Sequence, residues 1–284
     1  MKVVSTAVEI QALARGYRDT GLTIGLVPTM GWFHQGHLAL MKEAGNRADK
    51  VIVSLFVNPI QFGPDEDLDN YPHDLERDCK LAEEVGVDLL YAPNKEFMYP
   101  DGFSTTVHIA GLTSGLCGGD RPGHFDGVTT VVSKLFNQTL PHVAVFGEKD
   151  FQQLAVIRQL VRDLDFPIEI IGHPIVREKS GLAMSSRNSY LKKDEMNAAL
   201  SLSKAIACAK RAAGEKQDIS VQEIRKIVTD VILAHPECGI DYIEVVDKTT
   251  LQNCEVVNSD SMLVLAVKIN KRIRLLDNSI IQGN

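Results

Sequence analysis

The 284-residue sequence predicts an α/β protein, a parallel sheet with helices on both faces, followed by a smaller α+β unit. Three observations predict it. Short apolar runs rich in β-branched residues recur through the first half without polar alternation, as strands buried on both faces do. Helical patterns separate these runs, and strand alternating with helix is the pattern of βαβ units. Beyond residue 176 the order changes to two helices and then consecutive strands.

Taken in order, residues 23–27, 51–56, 88–91, 142–146 and 168–171 read as buried strands. The first is expected to end at Pro28, because proline cannot donate to a central ladder. Residues 38–47, 74–85, 128–138 and 151–164 carry the helical patterns between them. In the last third, 192–214 and 221–235 read as amphipathic helices, and 240–246, 262–267 and 272–276 as strands. The expected domains are therefore 1–175 and 176–284.

Composition narrows the partners. A 44% hydrophobic content with 24% charged residues supports a buried core rather than disorder. A net charge of −7 argues against a global grip on nucleic acid or an anionic membrane. A polyanionic ligand must then be held locally, by a few Lys and Arg and by helix N-termini. The five cysteines are scattered, odd in number and without a C-x-x-C pair, which points away from a disulfide framework or a zinc site. With no apolar leader after Met1 and no run of membrane-spanning length, a cytoplasmic protein with reduced thiols is expected.

In open α/β sheets ligands sit at the carboxyl ends of the strands, which directs attention to the segments after Val27, Phe56 and Phe146. The first reads Pro28-Thr29-Met30-Gly31-Trp32-Phe33-His34-Gln35-Gly36-His37. A helix starting near Gly36 or His37 would put both histidines on one side of its first turn, where unsatisfied N–H groups favour phosphate. Imidazole donors there suit a leaving group that gains negative charge. The plainer alternatives are surface histidines beside a helix cap, or a metal pair for which no neighbouring acid or thiol completes the set.

The second segment, Asn58-Pro59-Ile60-Gln61, is a turn whose Gln61 amide suits hydroxyls and a carboxylate, or is simply a polar loop. The third, Gly147-Glu148-Lys149-Asp150, lies between strand and helix. Lys149 offers a compact charge for phosphate, Asp150 a helix cap or a ribose ligand, and Gln153 follows one turn later. Ser185, Ser186 and Arg187 make either a phosphate clamp or an ordinary hydroxyl turn with a surface arginine. Arg121, in a glycine-rich turn, either binds an anion or pairs with an acid.

The strings PTMGWFHQGH, FVNPIQF, RPGHFDGV, FGEKDFQQL and AMSSRN, in this order and spacing, resemble the pantothenate synthetase family of H-x-G-H nucleotidyltransferases. The resemblance implies a Rossmann-like first domain and a smaller second domain that covers the nucleotide. It implies ATP-dependent condensation of pantoate with β-alanine through a pantoyl adenylate, with release of AMP and pyrophosphate, by a homodimer that uses Mg²⁺. It places Met30, Gly31, Trp32, Phe33, His34, Gln35, Gly36, His37, Gly147, Glu148, Lys149, Asp150, Val176, Met184, Ser185, Ser186 and Arg187 around ATP. Of these, His37 is the expected proton donor, and His34, His37, Lys149, Ser185, Ser186 and Arg187 the group that stabilises charge on the phosphates. Gln61 is expected on pantoate and β-alanine and Gln153 on pantoate, with Arg121 as a further substrate contact.

Two positions depart from the family pattern. Phe33 replaces the usual Leu before the first histidine, a swap expected to be tolerated. Cys117 replaces a usual Glu, which puts in doubt any support that acid gives Arg121. Two other readings are an adenylyltransferase acting on a different acceptor, which would share the H-x-G-H site without these glutamines, and a nucleotide sensor that binds ATP without turnover.

Overall fold

The structure is a computed structural model that describes residues 1–64, 66–216 and 218–281. Its first unit is built on a six-stranded parallel sheet in the order β1-β4-β3-β2-β5-β6. These strands are β1 (Lys2–Val4), β2 (Ile24–Thr29), β3 (Lys50–Leu55), β4 (Leu89–Tyr91), β5 (Val143–Gly147) and β6 (Glu169–His173). The connecting helices are α1 (Ala7–Asp19), α2 (Gln35–Arg47), α3 (Leu75–Glu84), the short α4 (Lys95–Met98) and α5 (Leu116–Asp120), α6 (His124–Thr139) and α7 (Phe151–Asp163).

The absence of polar alternation in the central strands follows from cover on both faces. Val27, Val51, Val53, Leu90, Val143 and Val145 form one core with Leu38, Met41 and Ala44 of α2 and Ala82 of α3. The intervening Leu26, Ile52, Leu89 and Ala144, equally buried, point to the opposite face, because side chains alternate along a strand. On that side α1 packs against α6.

Topology locates the site. From β2 the chain moves outward through β3 to β4, then returns across β2 to place β5 on its other side. The reversal puts the switch point between the carboxyl ends of β2 and β5, the crevice in which such sheets bind ligands. The chain leaves β2 into the Met30–His34 loop and β5 into the turn that begins at Glu148.

Pro28 lies inside β2, opposite Ser54 of β3, and does not end it. The bonds Lys50 N–H to Thr23 O and Phe56 N–H to Thr29 O show that odd-numbered residues of β2 serve β3. His142 N–H to Ile24 O shows that even-numbered ones serve β5. Pro28 therefore turns its missing donor toward β5, where pairing has already stopped at Leu26. A central strand tolerates proline at the point where its ladder to one neighbour has stopped.

Contacts divide the chain into two units, Met1–Glu148 with Gln153–Pro174, and Lys149–Gln152 with Ile175–Asn284. The short Lys149–Gln152 piece is tied into the second unit by Asn278 Nδ2, which donates to Lys149 O at 2.9 Å. This unit carries α8 (Met196–Glu215) and α9 (Val221–Leu233), then the antiparallel sheet of β7 (Cys238–Asp247), β8 (Ser261–Ile269) and β9 (Ile273–Ile280). Leu202, Ile206, Ile224 and Val228 of its helices pack with Val245, Leu265 and Val267 of its sheet. Among the described residues no helix is long and apolar enough to cross a membrane.

Candidate active site

The H-x-G-H segment folds into its own helix cap. Helix α2 starts at Gln35, with extended His34 as N-cap. His34 Nδ1 accepts from Gly36 N–H at 3.1 Å, and His37 Nδ1 accepts from His34 N–H at 3.4 Å. The two bonds form a reciprocal capping box in which imidazole nitrogens replace the usual hydroxyl and carboxylate. The rings stack 4.0 Å apart with 24° between their planes. A nitrogen that accepts a backbone N–H carries no proton, so the neutral form of each ring has its N–H at Nε2. The cap fixes the tautomer that can donate to an anion.

The loop feeding this cap is held from several sides. Gly31 and Trp32 have φ of +90° and +53°, the left-handed region in which tryptophan is uncommon. Trp32 and Phe33 N–H both donate to Asp78 of α3, at 2.6 and 2.8 Å. Arg77 reaches back to Phe33 O at 2.7 Å and places its guanidinium over the Trp32 ring. Asp78 is 1% exposed. Burial pushes its carboxyl above the ordinary range, while the Phe33 and Trp32 N–H groups and the Arg77 charge pull it back. Phe33 itself is completely buried, with its ring 5.7 Å from that of His37.

Gln61 closes a 3₁₀ turn over Pro59–Gln61 and is buried. Its Nε2 donates to Met30 Sδ at 3.1 Å, so the segments after β2 and β3 meet here. Asn58 Nδ2 donates to Gln61 Oε1 at 3.0 Å and to Gly127 O at 3.0 Å, while Tyr99 OH donates to Asn58 Oδ1 at 2.8 Å. This chain leaves one orientation for the Gln61 amide, with its NH₂ toward Met30. Burial raises the Tyr99 pKa, so the hydroxyl stays protonated and remains a donor.

Arg121 takes the acid-pairing alternative. Its guanidinium grips both carboxylate oxygens of Glu66, meets His124 Nε2 at 3.0 Å and donates to Gln61 O at 3.3 Å. Burial pushes the Glu66 carboxyl up, but hydrogen bonds and charge from Arg121 outweigh it and leave the pKa lowered. The acid supporting Arg121 is thus Glu66, and the buried Cys117 at the start of α5 leaves that support intact.

Gln153 lies half-buried in the first turn of α7. Lys149 Nζ sits 3.6 Å from Asp150, and both belong to the second unit. In that unit Met184 N–H donates to Val176 O at 2.9 Å. Ser185 Oγ caps the 3₁₀ turn Ser186–Tyr190 by accepting from Arg187 N–H at 3.3 Å. The hydroxyl turn is therefore real, and it presents Ser186 and Arg187 from one short segment. Arg177 anchors the segment before it through a two-pronged bond to buried Asp277, 2.7 Å on each side.

Sequence reasoning missed Asp78, Arg77, Asn58 and Tyr99. Asn58 was legible only as a turn former, and Asp78 stands among ordinary helix charges 45 residues from its partner. No local pattern marks either one.

The family profile described as pantoate-beta-alanine ligase matches residues 2–280. The pantothenate synthetase of Heliobacterium modesticaldum is 50% identical over 283 residues, covering 99% of this chain and 100% of its own. That of Desulfotalea psychrophila is 51% identical over 284 residues, covering 98% and 99%. Among solved structures, pantothenate synthetase from Thermus thermophilus superposes with a TM-score of 0.93 at 44% identity over all of both chains. A pantoate-beta-alanine ligase from Francisella tularensis, complexed with beta-gamma ATP and beta-alanine, gives 0.81 at 32% identity, covering 100% of this chain and 99% of that one.

Proposed function

The chain belongs to the pantoate–β-alanine ligase family, and we propose that it makes pantothenate through a pantoyl adenylate. The carrying observation is the stacked histidine pair that caps α2 at the switch point, with both Nδ1 atoms occupied by backbone donors. ATP and β-alanine are the co-substrates this reading adopts, after the beta-gamma ATP and beta-alanine with which the Francisella ligase is complexed.

In the first half-reaction the pantoate carboxylate attacks the α-phosphorus of ATP, the bond to the bridging oxygen breaks, and pyrophosphate leaves. No enzyme nucleophile is required, so catalysis rests on positioning and charge stabilisation. Each imidazole donates from Nε2 to phosphate oxygens, His37 as proton donor, aided by the positive end of α2 and the backbone of Met30–His37. Gly147, Glu148, Asp150, Val176 and Met184 line the nucleotide in this reading. Lys149 supplies a point charge, Arg187 a planar fork, and Ser185 and Ser186 their hydroxyls.

Gln61, with its amide turned by Asn58, and Gln153 hold pantoate. Arg121 serves the substrate through Gln61, bracing its carbonyl. In the second half-reaction the neutral β-alanine amine attacks the acyl carbon, gives up a proton, and AMP leaves.

Among the described residues no group of three or more His, Cys, Asp or Glu gathers as a metal cage. Mg²⁺, a hard cation suited to phosphate oxygens, would be held chiefly by the nucleotide and would neutralise charge on its phosphates. A homodimer is part of the same reading. The deciding experiment is exchange of labelled pyrophosphate into ATP. It should require pantoate and proceed without β-alanine, and exchange that ignores pantoate refutes the assignment.

A further inference from the structure

The proposed mechanism makes no use of the buried Asp78 carboxylate. It lies on α3 and faces the turn that feeds the α2 cap, where it accepts from two successive N–H groups, those of Trp32 and Phe33. It also accepts from Arg77 NH1 at 3.1 Å, and the other arm of that guanidinium holds Phe33 O.

This last bond controls the histidines. Phe33 C=O and His34 N–H belong to one planar trans peptide, in which the two groups point in opposite directions. Once Arg77 fixes the carbonyl, the His34 N–H is aimed the other way, at the Nδ1 of His37 that accepts it. Asp78 thus acts twice on the same geometry. It fixes the preceding N–H groups directly and orients the arginine that fixes the peptide plane.

The turn needs such a hold, since Gly31 and Trp32 are both left-handed and only the first is a glycine. A Cβ at Gly31 would lie 3.3 Å from Asp78 Oδ2 and 3.2 Å from Leu55, so the carboxylate also packs closely against this turn.

We propose that Asp78, with Arg77 as its arm, is a positioning residue that sets the orientation and tautomer of the His34–His37 pair without touching substrate. The inference rests on the ligase reading for its kinetic part only. Asp78→Asn keeps the size of the side chain but places an NH₂ against backbone donors. Arg77→Met keeps an aliphatic stem over Trp32 and removes the donor to Phe33 O.

In pantoate-dependent pyrophosphate exchange, Asp78→Asn should lower kcat about 10- to 100-fold, as misplacement of a reacting group does. Arg77→Met should lower it about three- to tenfold, the worth of one hydrogen bond. The Kd for pantoate should stay within about twofold of the parent in both, since neither residue touches the Gln61 amide. ¹⁵N spectra of histidine-labelled protein should show His37 as the Nε2–H tautomer in the parent and a mixture of tautomers in the variants.

Should Asp78→Asn fail to fold, Arg77→Met decides, because its side chain is 38% exposed and its loss leaves Asp78 bonded to the two N–H groups. A folded variant with parental kcat and an unchanged His37 signature overturns the proposal, as does a raised KM with kcat intact. If the parent shows no pantoate-dependent exchange the ligase reading fails, and the ¹⁵N signature still decides the positioning role.

Discussion

Gly127→Ala tests how closely pantoate binding depends on the seating of the Gln61 turn. Gly127 lies in the first turn of α6, pressed against that turn. A Cβ there would stand 2.6 Å from Ile60 O and 2.7 Å from both Gln61 Cα and Gln61 N. All three are backbone atoms, so no side chain can swing aside to relieve the contact. Ordinary contact begins at 3.4 Å, so the turn and the helix must separate by about 0.8 Å. Asn58 Nδ2, which donates to Gly127 O and to Gln61 Oε1, cannot keep both bonds through such a shift.

Overpacking of this kind costs about 1–3 kcal/mol of stability. At roughly 2–4 °C per kcal/mol for a unit of this size, Tm should fall by about 2–12 °C. A displacement near 1 Å at a substrate-positioning group can cost about 100-fold, so pantoate Kd should rise by about 10- to 100-fold. Calorimetric titration with pantoate measures the second quantity, alongside a melting curve for the first. A Gly127→Ala protein with lowered Tm and undiminished pantoate affinity would show that the seating of this turn has no bearing on the substrate.

His37→Ala and Lys149→Ala should each lower kcat by about 100- to 1,000-fold, the usual loss for one transition-state donor, and an unchanged kcat with raised KM would mean uniform binding instead. Gln61→Ala and Gln153→Ala should weaken pantoate in direct titration while leaving ATP binding near parental, and unchanged pantoate affinity removes them from that site. Glu195 accepts from Lys192 N–H, Asn270 and Arg272, and these bonds hold its carboxyl at about 2, below its usual 4.5. A depressed carboxyl stabilises the folded state fully above the unfolded value and loses that contribution as pH falls toward the folded one. Melting curves of Glu195→Gln should therefore vary less with pH between about 4.5 and 2 than those of the parent, and parallel profiles would refute this.

The sheet was legible because its central strands are buried on both faces, and that burial writes unbroken apolar runs into the chain. Strand β1, three residues long at the sheet edge, writes no such run, and neither it nor α1 is anticipated from the pattern. Pro28 misleads because a local rule about ladders cannot know that the pairing of β2 with β5 stops two residues earlier, at Leu26. At the site, residues that act through their own neighbourhood were legible. The two histidines and Gln61 follow predicted strands closely, and the Ser185–Arg187 segment reads as a hydroxyl turn, although Gln61 and that turn, taken alone, read equally well as ordinary loops. Residues that act at a distance were not. Glu66 reaches Arg121 across 55 positions and Tyr99 reaches Asn58 across 41, and no window on the sequence joins them.

The cap of α2 shows why those distant residues are needed. Ser, Thr, Asp and Asn are preferred as N-caps because a short oxygen acceptor reaches the free N–H groups with little ordering cost. Histidine brings a large ring, and of its two capping bonds here one is ordinary at 3.1 Å and the other long at 3.4 Å. Such a cap contributes little to the stability of α2. It does leave an Nε2–H on each ring, which a serine or aspartate cap would lack. With a weak cap preceded by a left-handed tryptophan, the segment would sample other conformations unless held from outside. Asp78, Arg77 and the buried Phe33 provide that hold from one side, and the Gln61–Met30 contact from the other. Local helix propensity and chemistry thus conflict at His34 and His37, and the fold resolves the conflict with tertiary bonds, as expected where a site departs from the rules that govern the rest of the chain.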